Sequence, residues 1–259
     1  MSRHGKVYIV GAGPGDPGLI TLKGKEILGK ADVVVYTGSL LNPEILKYAK
    51  DDAELHDSAK MSMERIVQKI VEAAKNGKIV VRLHDGDPSF YGAIKELMDA
   101  LEMDNIEYEV IPGVSSLQAA AASLKRELTL PGVSQTVIVT RPEGRTPVTK
   151  ADNLVELARH GATMAIFLGA QLIETIVEKL RLGGYSLDTP VAVVYKASWP
   201  EQKIIRGTLA DITEKVKAAD VRSTALILVG EAIEPKSYDR SKLYDPEFSH
   251  AFRRGRKNV

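Results

Sequence analysis

The sequence predicts an α/β protein of two lobes, the first built on a largely parallel sheet and the second on a mixed one. Three observations predict it. Short β-branched runs alternate with helical stretches through the first part of the chain. Later, candidate strands around Val191 and Lys203 are separated by a loop too short for a crossover, so they read as antiparallel neighbours. The chain has 259 residues, more than one small core needs and enough for two compact lobes.

Lys6 to Val10 is an apolar β-branched run ending at Gly11 and reads as a buried first strand. A Gly/Pro-rich loop to Gly18 follows, then a helix from Thr21 to about Lys30 and a second strand from Val33 to Tyr36. Ser62 can cap a helix with Ile66, Val67, Ile70, Val71 and Ala74 on one stripe and Gly77 as its stop. Ile79 to Leu83 is a third strand, leading into His84-Asp85-Gly86-Asp87-Pro88. A helix from about Gly92 to Glu102 and a strand from Tyr108 to Ile111 complete the first lobe.

Pro112-Gly113 marks the expected boundary, giving lobes at 1–112 and 113–234 and a tail at 235–259. The second lobe opens with a small-residue helix around Leu117 to Leu124. Its candidate strands are Thr136–Thr140, Thr163–Leu168, Val191–Tyr195, Lys203–Arg206 and Ala225–Val229, with helices from about Leu154, Leu172 and Leu209 between them. Arg141 to Lys150 is polar, holds two prolines and reads as a mobile loop. The tail ends in Arg253, Arg254, Arg256 and Lys257 and reads as solvated.

Composition narrows the function. Hydrophobic residues at 44% and charged residues at 27% suit a soluble globular enzyme rather than a disordered chain. A formal charge of +1 argues against nucleic-acid binding by bulk charge, although a local basic pocket remains open. The absence of cysteine excludes disulfides, thiolate metal sites and cysteine nucleophiles, and no metal centre is expected. No signal peptide precedes the first strand and no apolar run approaches a bilayer span, so the expected compartment is the cytoplasm, with no membrane partner.

Three loops follow strand ends, where α/β sheets hold ligands. The first, Gly11-Ala12-Gly13-Pro14-Gly15-Asp16-Pro17-Gly18, has Asp16 where a dinucleotide fingerprint needs its third glycine. No acidic residue follows the second strand to grip a ribose, and no Gly-Lys pair is followed by the Ser or Thr of a Walker loop. Pro14 also lacks the N–H that Rossmann-like methyltransferases would use here. In the second loop Gly86 allows close backbone approach, and Asp85 and Asp87 can meet a cationic amine or accept from hydroxyls. Asp87 reads as an exposed carboxylate whose loss leaves the fold intact. The third, Pro112-Gly113-Val114-Ser115-Ser116, offers hydroxyls and N–H groups at a helix start, where Ser115 can also simply cap.

In that order and spacing, the three loops resemble the tetrapyrrole methylase family, and the similarity continues through Ala165–Gly169, Pro190–Tyr195 and Ser223–Leu226. Tyr36–Leu40, His84–Gly92, Glu127–Thr136, Thr140-Arg141 with Gly144–Pro147, and Tyr244–His250 are similar to the branch that methylates corrin precursors at C11. The resemblance implies S-adenosylmethionine in a cleft between the lobes, a polycarboxylate tetrapyrrole as methyl acceptor, and a homodimer. It places Pro14, Asp85, Gly86, Asp87, Phe90, Tyr91, Ser115, Ser116, Leu168, Ala197, Thr224 and Ala225 around the cofactor. Lys60, Arg82, Arg126, Arg141 and Arg145 are the candidate cations for the substrate's carboxylate arms. Relatives that methylate uroporphyrinogen carry an aspartate, proposed as proton acceptor, where Thr37 stands, so no catalytic base is carried over. The alternatives are a methylase of the same fold acting on ribosomal RNA or a translation factor's modified histidine, and a catalytically idle corrin-binding protein.

Overall fold

A computed structural model describes residues 5–144 and 146–256; Arg145 and Lys257 lie outside the described residues. The chain divides into two compact units. One runs to Ala120 and takes in Lys196–Gln202; the other comprises Ala121–Tyr195 and the chain from Lys203 onward.

The first unit is a five-stranded sheet of β1 (Val7–Gly11), β2 (Val33–Tyr36), β3 (Glu54–Asp57), β4 (Val80–His84) and β5 (Tyr108–Ile111). Its order is β3-β2-β4-β1-β5 and every pairing is parallel. Four of these strands, β1, β2, β4 and β5, fall where the sequence predicts them, and the first three are largely buried. β3 is the exception. It is an edge strand whose Glu54, Leu55 and Asp57 are exposed, so it shows no apolar alternation to find.

Helices cover both faces. On one, Leu28 of α1 (Leu22–Leu28) packs with Val10, Val34, Val81, Leu83 and Ile111. On the other, α2 (Met63–Lys75) and α3 (Ile94–Met103) bury Ile66, Ile70, Leu97 and Leu101 against Val7, Ile9, Val33, Val35 and Val80. The α2 stripe recurs at helical spacing, and Ser62 Oγ accepts from the Arg65 N–H as the N-cap. The chain leaving β1 crosses to β2 by way of α1, whereas the chain leaving β4 crosses to β5 on the opposite side and over the opposite face. The carboxyl ends of β1 and β4 are therefore a topological switch point, where an open α/β sheet leaves a crevice.

α4 (Ser116–Leu124) leads into the second unit. Its sheet orders β6 (Val137–Thr140), β7 (Thr163–Ile166), β10 (Ala225–Val229), β8 (Pro190–Tyr195) and β9 (Lys203–Thr208) as β6-β7-β10-β8-β9. β6 and β7 are parallel and the other pairs antiparallel, so the sheet is mixed as expected. α5 (Leu154–Ala158), α6 (Ile173–Leu182) and α7 (Ile212–Ala218) bury Leu154, Ile173, Ile176, Leu180, Ile212 and Val216 on one core with Met164, Ile166, Val191, Val193, Ile227 and Val229. The expected helix at Leu209 starts at Ile212, because the Leu209 N–H donates to Thr189 O (3.1 Å) and so extends the β8–β9 ladder. Residues 235–256 are mostly exposed, held by Arg253 Nη2 donating to Leu243 O (2.9 Å) and by the Asp239 N–H donating to Pro131 O (3.0 Å). Among the described residues no helix is long and apolar enough to cross a membrane.

α6 offers a direct check of this core. Leu180 is fully buried and Leu182, two residues on, is 70% exposed. Leu180→Ala is expected to cost about 2–5 kcal/mol of unfolding free energy, and Leu182→Ala less than about 0.5 kcal/mol, as measured by urea denaturation.

Candidate functional site

The loops after β4, β1 and β5 leave adjacent strands, so the three stretches singled out from sequence emerge side by side. The first two are stitched together. Ala12 N–H donates to His84 O (2.7 Å), Gly13 N–H to Gly86 O (3.2 Å) and Gly86 N–H to Gly13 O (2.8 Å). The third closes on both. A Cβ on Gly113 would lie 2.1 Å from Gly86 O and 2.8 Å from Gly11 Cα, so only glycine permits the backbones this close.

Asp87 ties this junction, which corrects the expectation that it is an exposed carboxylate. It is half-buried; Oδ2 accepts from the Gly113 N–H (2.8 Å), and Oδ1 accepts from the Ser89 N–H (2.8 Å) and from Ser89 Oγ. Burial pushes its carboxyl up, but the bonds from Ser89 and Gly113 outweigh it and leave the pKa below the ordinary range.

The Gly-rich loop is braced by residues far along the chain. Asn42 Nδ2 donates to Gly15 O (2.8 Å), Trp199 Nε1 to Pro14 O (2.8 Å), and the Asp16 N–H to Ser198 Oγ (3.0 Å). Gly15 lies flat under the indole, where a Cβ would come within 1.9 Å of Trp199 Cδ1. Neither Trp199 nor Asn42 stands out from sequence; the single tryptophan of the chain was the available signal. Pro14 thus presents a carbonyl, already engaged, rather than an N–H cradle. Ser115 is 3% exposed, and its Oγ accepts from the Leu117 N–H (3.3 Å), the local cap its position suggested. Ser116 begins α4.

Beside the loops lies a polar cluster at the ends of β2, β3 and β4. Thr37 Oγ1 donates to Asp85 Oδ1 (3.1 Å) and accepts from the Asp85 N–H (3.2 Å). Burial holds the Asp85 carboxyl above the usual aspartate range, partly opposed by the Thr37 bond and by Arg82. Arg82 is buried and its Nη1 donates to Ser58 Oγ (2.8 Å) and Val35 O (3.4 Å). His84 is buried next to it on the same strand.

In the second unit, the candidates gather along one edge of the sheet. Leu168 follows the end of β7, Thr224 immediately precedes and Ala225 begins the antiparallel β10, and Arg141 follows β6. Ala197 follows β8 but belongs to the segment counted with the first unit. The backbone here is strained. Leu168 (φ 54°) and Thr224 (φ 50°) are left-handed, as are Tyr91 (φ 58°) in the first unit and both neighbours of Ala197, Lys196 (φ 46°) and Ser198 (φ 69°). Such positions cost of order 1–3 kcal/mol each and persist where function requires them. Of the other left-handed non-glycine residues, Asn105, Lys125 and Asp220 simply end helices. Leu168 is 62% exposed, and Phe90 and Tyr91 are also exposed.

The candidate cations do not all share one environment. Lys60 is exposed two residues after Ser58. Arg141 turns back on its own loop, donating to the carbonyls of Pro142 (3.3 Å), Thr146 (3.3 Å) and Pro147 (2.8 Å). Arg126 donates through Nε to Ile233 O (2.7 Å) and pairs with Glu234 (3.3 Å). Among the described residues no group of three or more His, Asp or Glu side chains is placed to hold a metal ion.

Comparison with known proteins follows the same lines. The profile of the Tetrapyrrole (Corrin/Porphyrin) Methylases matches residues 6–213. A cobalt-precorrin-4 C(11)-methyltransferase of Methanocaldococcus jannaschii is 58% identical over 257 residues, 99% of each chain. Among solved structures, cobalt precorrin-4 methyltransferase, described as a cobalamin biosynthetic enzyme, superposes with a TM-score of 0.86 at 46% identity, covering 89% of this chain and 96% of that one. Uroporphyrin-III C-methyltransferase from Thermus thermophilus, solved with S-adenosylhomocysteine, gives 0.75 at 28% identity over 91% and 96% of the two chains.

Asp85 yields a stability prediction with a definite sign. A carboxyl whose folded pKa is raised stabilises the fold at low pH and loses that contribution as pH rises through the folded pKa. At neutral pH the charged, half-buried group is a cost. Asp85→Asn keeps an acceptor for Thr37 and is expected to raise the melting temperature at neutral pH. The gap should close as pH falls below about 4, the ordinary aspartate value; thermal unfolding across that range checks it.

Proposed function

This chain is a member of the tetrapyrrole (corrin/porphyrin) methylase family, and we propose that it methylates C11 of cobalt-precorrin-4, or of metal-free precorrin-4, using S-adenosylmethionine. One observation carries the reading: the M. jannaschii relative, a cobalt-precorrin-4 C(11)-methyltransferase, is 58% identical with no substantial part of either chain unmatched.

The residues present suit that cofactor. When bound, S-adenosylmethionine supplies an electrophilic methyl group on a sulfonium. Exposed Leu168 offers apolar surface of the kind an adenosine needs, and exposed Phe90 and Tyr91 are taken to lie near the cofactor's amino-acid part. Asp85 offers a carboxylate of the sign that favours a cation. We take Pro14, Gly86, Asp87, Ser115, Ser116, Ala197, Thr224 and Ala225 to shape the same site, largely through backbone. Asp87 does so by fixing Gly86 and Gly113 rather than by offering free oxygens.

Methyl transfer to a conjugated ring carbon disperses charge, so the protein's task is to align the two partners and exclude water. Loops whose backbones are locked to one another supply such alignment without rearrangement during the reaction. Lys60, Arg82, Arg141 and Arg145 are taken to meet the acceptor's carboxylates. Arg126 is engaged within its own unit by Ile233 and Glu234. The same reading makes the enzyme a cytoplasmic homodimer that needs neither nucleic acid nor membrane.

Purified protein given S-adenosylmethionine and cobalt-precorrin-4 should add one methyl group, located at C11 by NMR; the metal-free ring tests which form is preferred. Methylation elsewhere on the ring, or none on either form, would overturn the reading. Arg141→Ala is expected to raise the tetrapyrrole concentration for half-maximal rate by roughly tens-fold, the loss of one charge-assisted contact of about 1.5–3 kcal/mol. Affinity for S-adenosylhomocysteine should stay at the parent value, and Arg141→Lys should recover part of the loss.

A further inference from the structure

β4 carries two polar side chains into the interior of the first unit. Arg82 is 6% exposed and His84 is 3% exposed. They alternate with Val81 and Leu83, so both lie on the face of β4 that also holds Val80.

Each is incompletely satisfied. Arg82 has hydroxyl and carbonyl acceptors, Ser58 Oγ and Val35 O, and among the described residues no carboxylate pairs with it within 4.0 Å. The nearby carboxylate of Asp85 accepts from Thr37 instead. Asp85 offsets the burial of the guanidinium only in part, so the cation is costly to keep. His84 Nε2 is fully buried and has no hydrogen-bond partner, and a native structure that leaves a buried nitrogen orphaned calls for an explanation. Burial, and then Arg82, push the His84 pKa down to about 3, so the imidazole is neutral and can present an N–H without adding a second charge. His84 ends the strand, immediately before the loop Asp85–Pro88 at the switch point, and Arg82 stands two residues earlier on the same face.

One ligand chemistry answers both deficits. A carboxylate neutralises the guanidinium and accepts from the imidazole N–H. We propose that Arg82 and His84 form a carboxylate-binding subsite of the methylase site. The inference rests on the function proposed above, because it draws on two carboxylate sources that the reaction brings: the amino-acid end of the cofactor and the side arms of the tetrapyrrole. Ser58 steadies the arginine, and Lys60 adds an exposed cation at the same edge.

The test uses the full-length protein with His84→Leu, which removes the orphaned nitrogen. Its melting temperature is expected to match or exceed the parent's, since an unsatisfied buried nitrogen is removed, whereas ligand binding should weaken by about tenfold or more. His84→Gln, which keeps an N–H, should recover part of the binding, and it and Arg82→Met carry the comparison if the leucine variant does not fold. Calorimetry with S-adenosylhomocysteine and with 5′-methylthioadenosine, which lacks the amino-acid carboxylate, examines the cofactor. KM against kcat examines the tetrapyrrole. A loss for S-adenosylhomocysteine alone places the cofactor's carboxylate on the pair. A raised KM with unchanged kcat and unchanged S-adenosylhomocysteine affinity places the tetrapyrrole's there. If all three quantities stay at parent values, a buried water suffices for His84 and the proposal is overturned. A parent protein that binds S-adenosylhomocysteine yet methylates no tetrapyrrole would sink the reaction reading instead, and the calorimetric comparison would still stand.

Discussion

The contact on which the first unit depends is one between backbones. Gly11 ends β1, Gly86 and Gly113 lie two residues beyond β4 and β5, and the three approach so closely that a methyl group on Gly113 would overlap the Gly86 carbonyl. The parallel order β4-β1-β5 creates the opportunity, and the Gly13–Gly86 bridge and the Asp87 carboxylate make the approach permanent. Three loops that could wander independently become one surface. Their side chains inherit a fixed frame: Asp85 against Thr37, Ser115 under the start of α4, Phe90 and Tyr91 beyond the turn.

The cost of that frame is distributed. Left-handed backbone at Tyr91, Leu168, Lys196, Ser198 and Thr224 is unfavourable for residues with side chains, and for β-branched Thr224 most of all. These positions fall at strand ends and in the loops around them, while regular strands and helices carry the cores. The division is chemically sensible for methyl transfer. Such a reaction asks for orientation rather than for a nucleophile or a metal, and rigid loops on packed sheets provide orientation.

The buried strands were legible because their β-branched runs are buried on both faces, as in Val33–Tyr36 and Val80–His84, and the switch-point loops because glycine and proline punctuate them. β3 was not, since an exposed edge strand of Glu54, Leu55, His56 and Asp57 has no apolar pattern. The family resemblance, read from three loop motifs, holds across the chain. The partners of individual side chains were the part that sequence concealed. Asp87 reads as an exposed carboxylate but is half-buried and ties two loops, Arg126 binds a carbonyl of the distant residue Ile233, and Arg82 sits in the interior. Each of those facts depends on residues brought together only by topology, and Trp199 on Pro14, separated by most of the chain, is the extreme case.

That tryptophan has a bearing on how the molecule is made. The segment Lys196–Gln202 leaves the second sheet after β8, is part of the first unit, and returns as β9. During synthesis, then, the amino-terminal sheet emerges and can pair its strands long before the indole that covers Gly15 exists. Until residue 202 clears the ribosome, the Gly-rich loop lacks its brace, and the glycine face that the indole covers is open to water. The nascent first unit is thus an unfinished intermediate, completed by a strap donated from the middle of the later half. Long-range closure of this kind, within the first unit, slows folding.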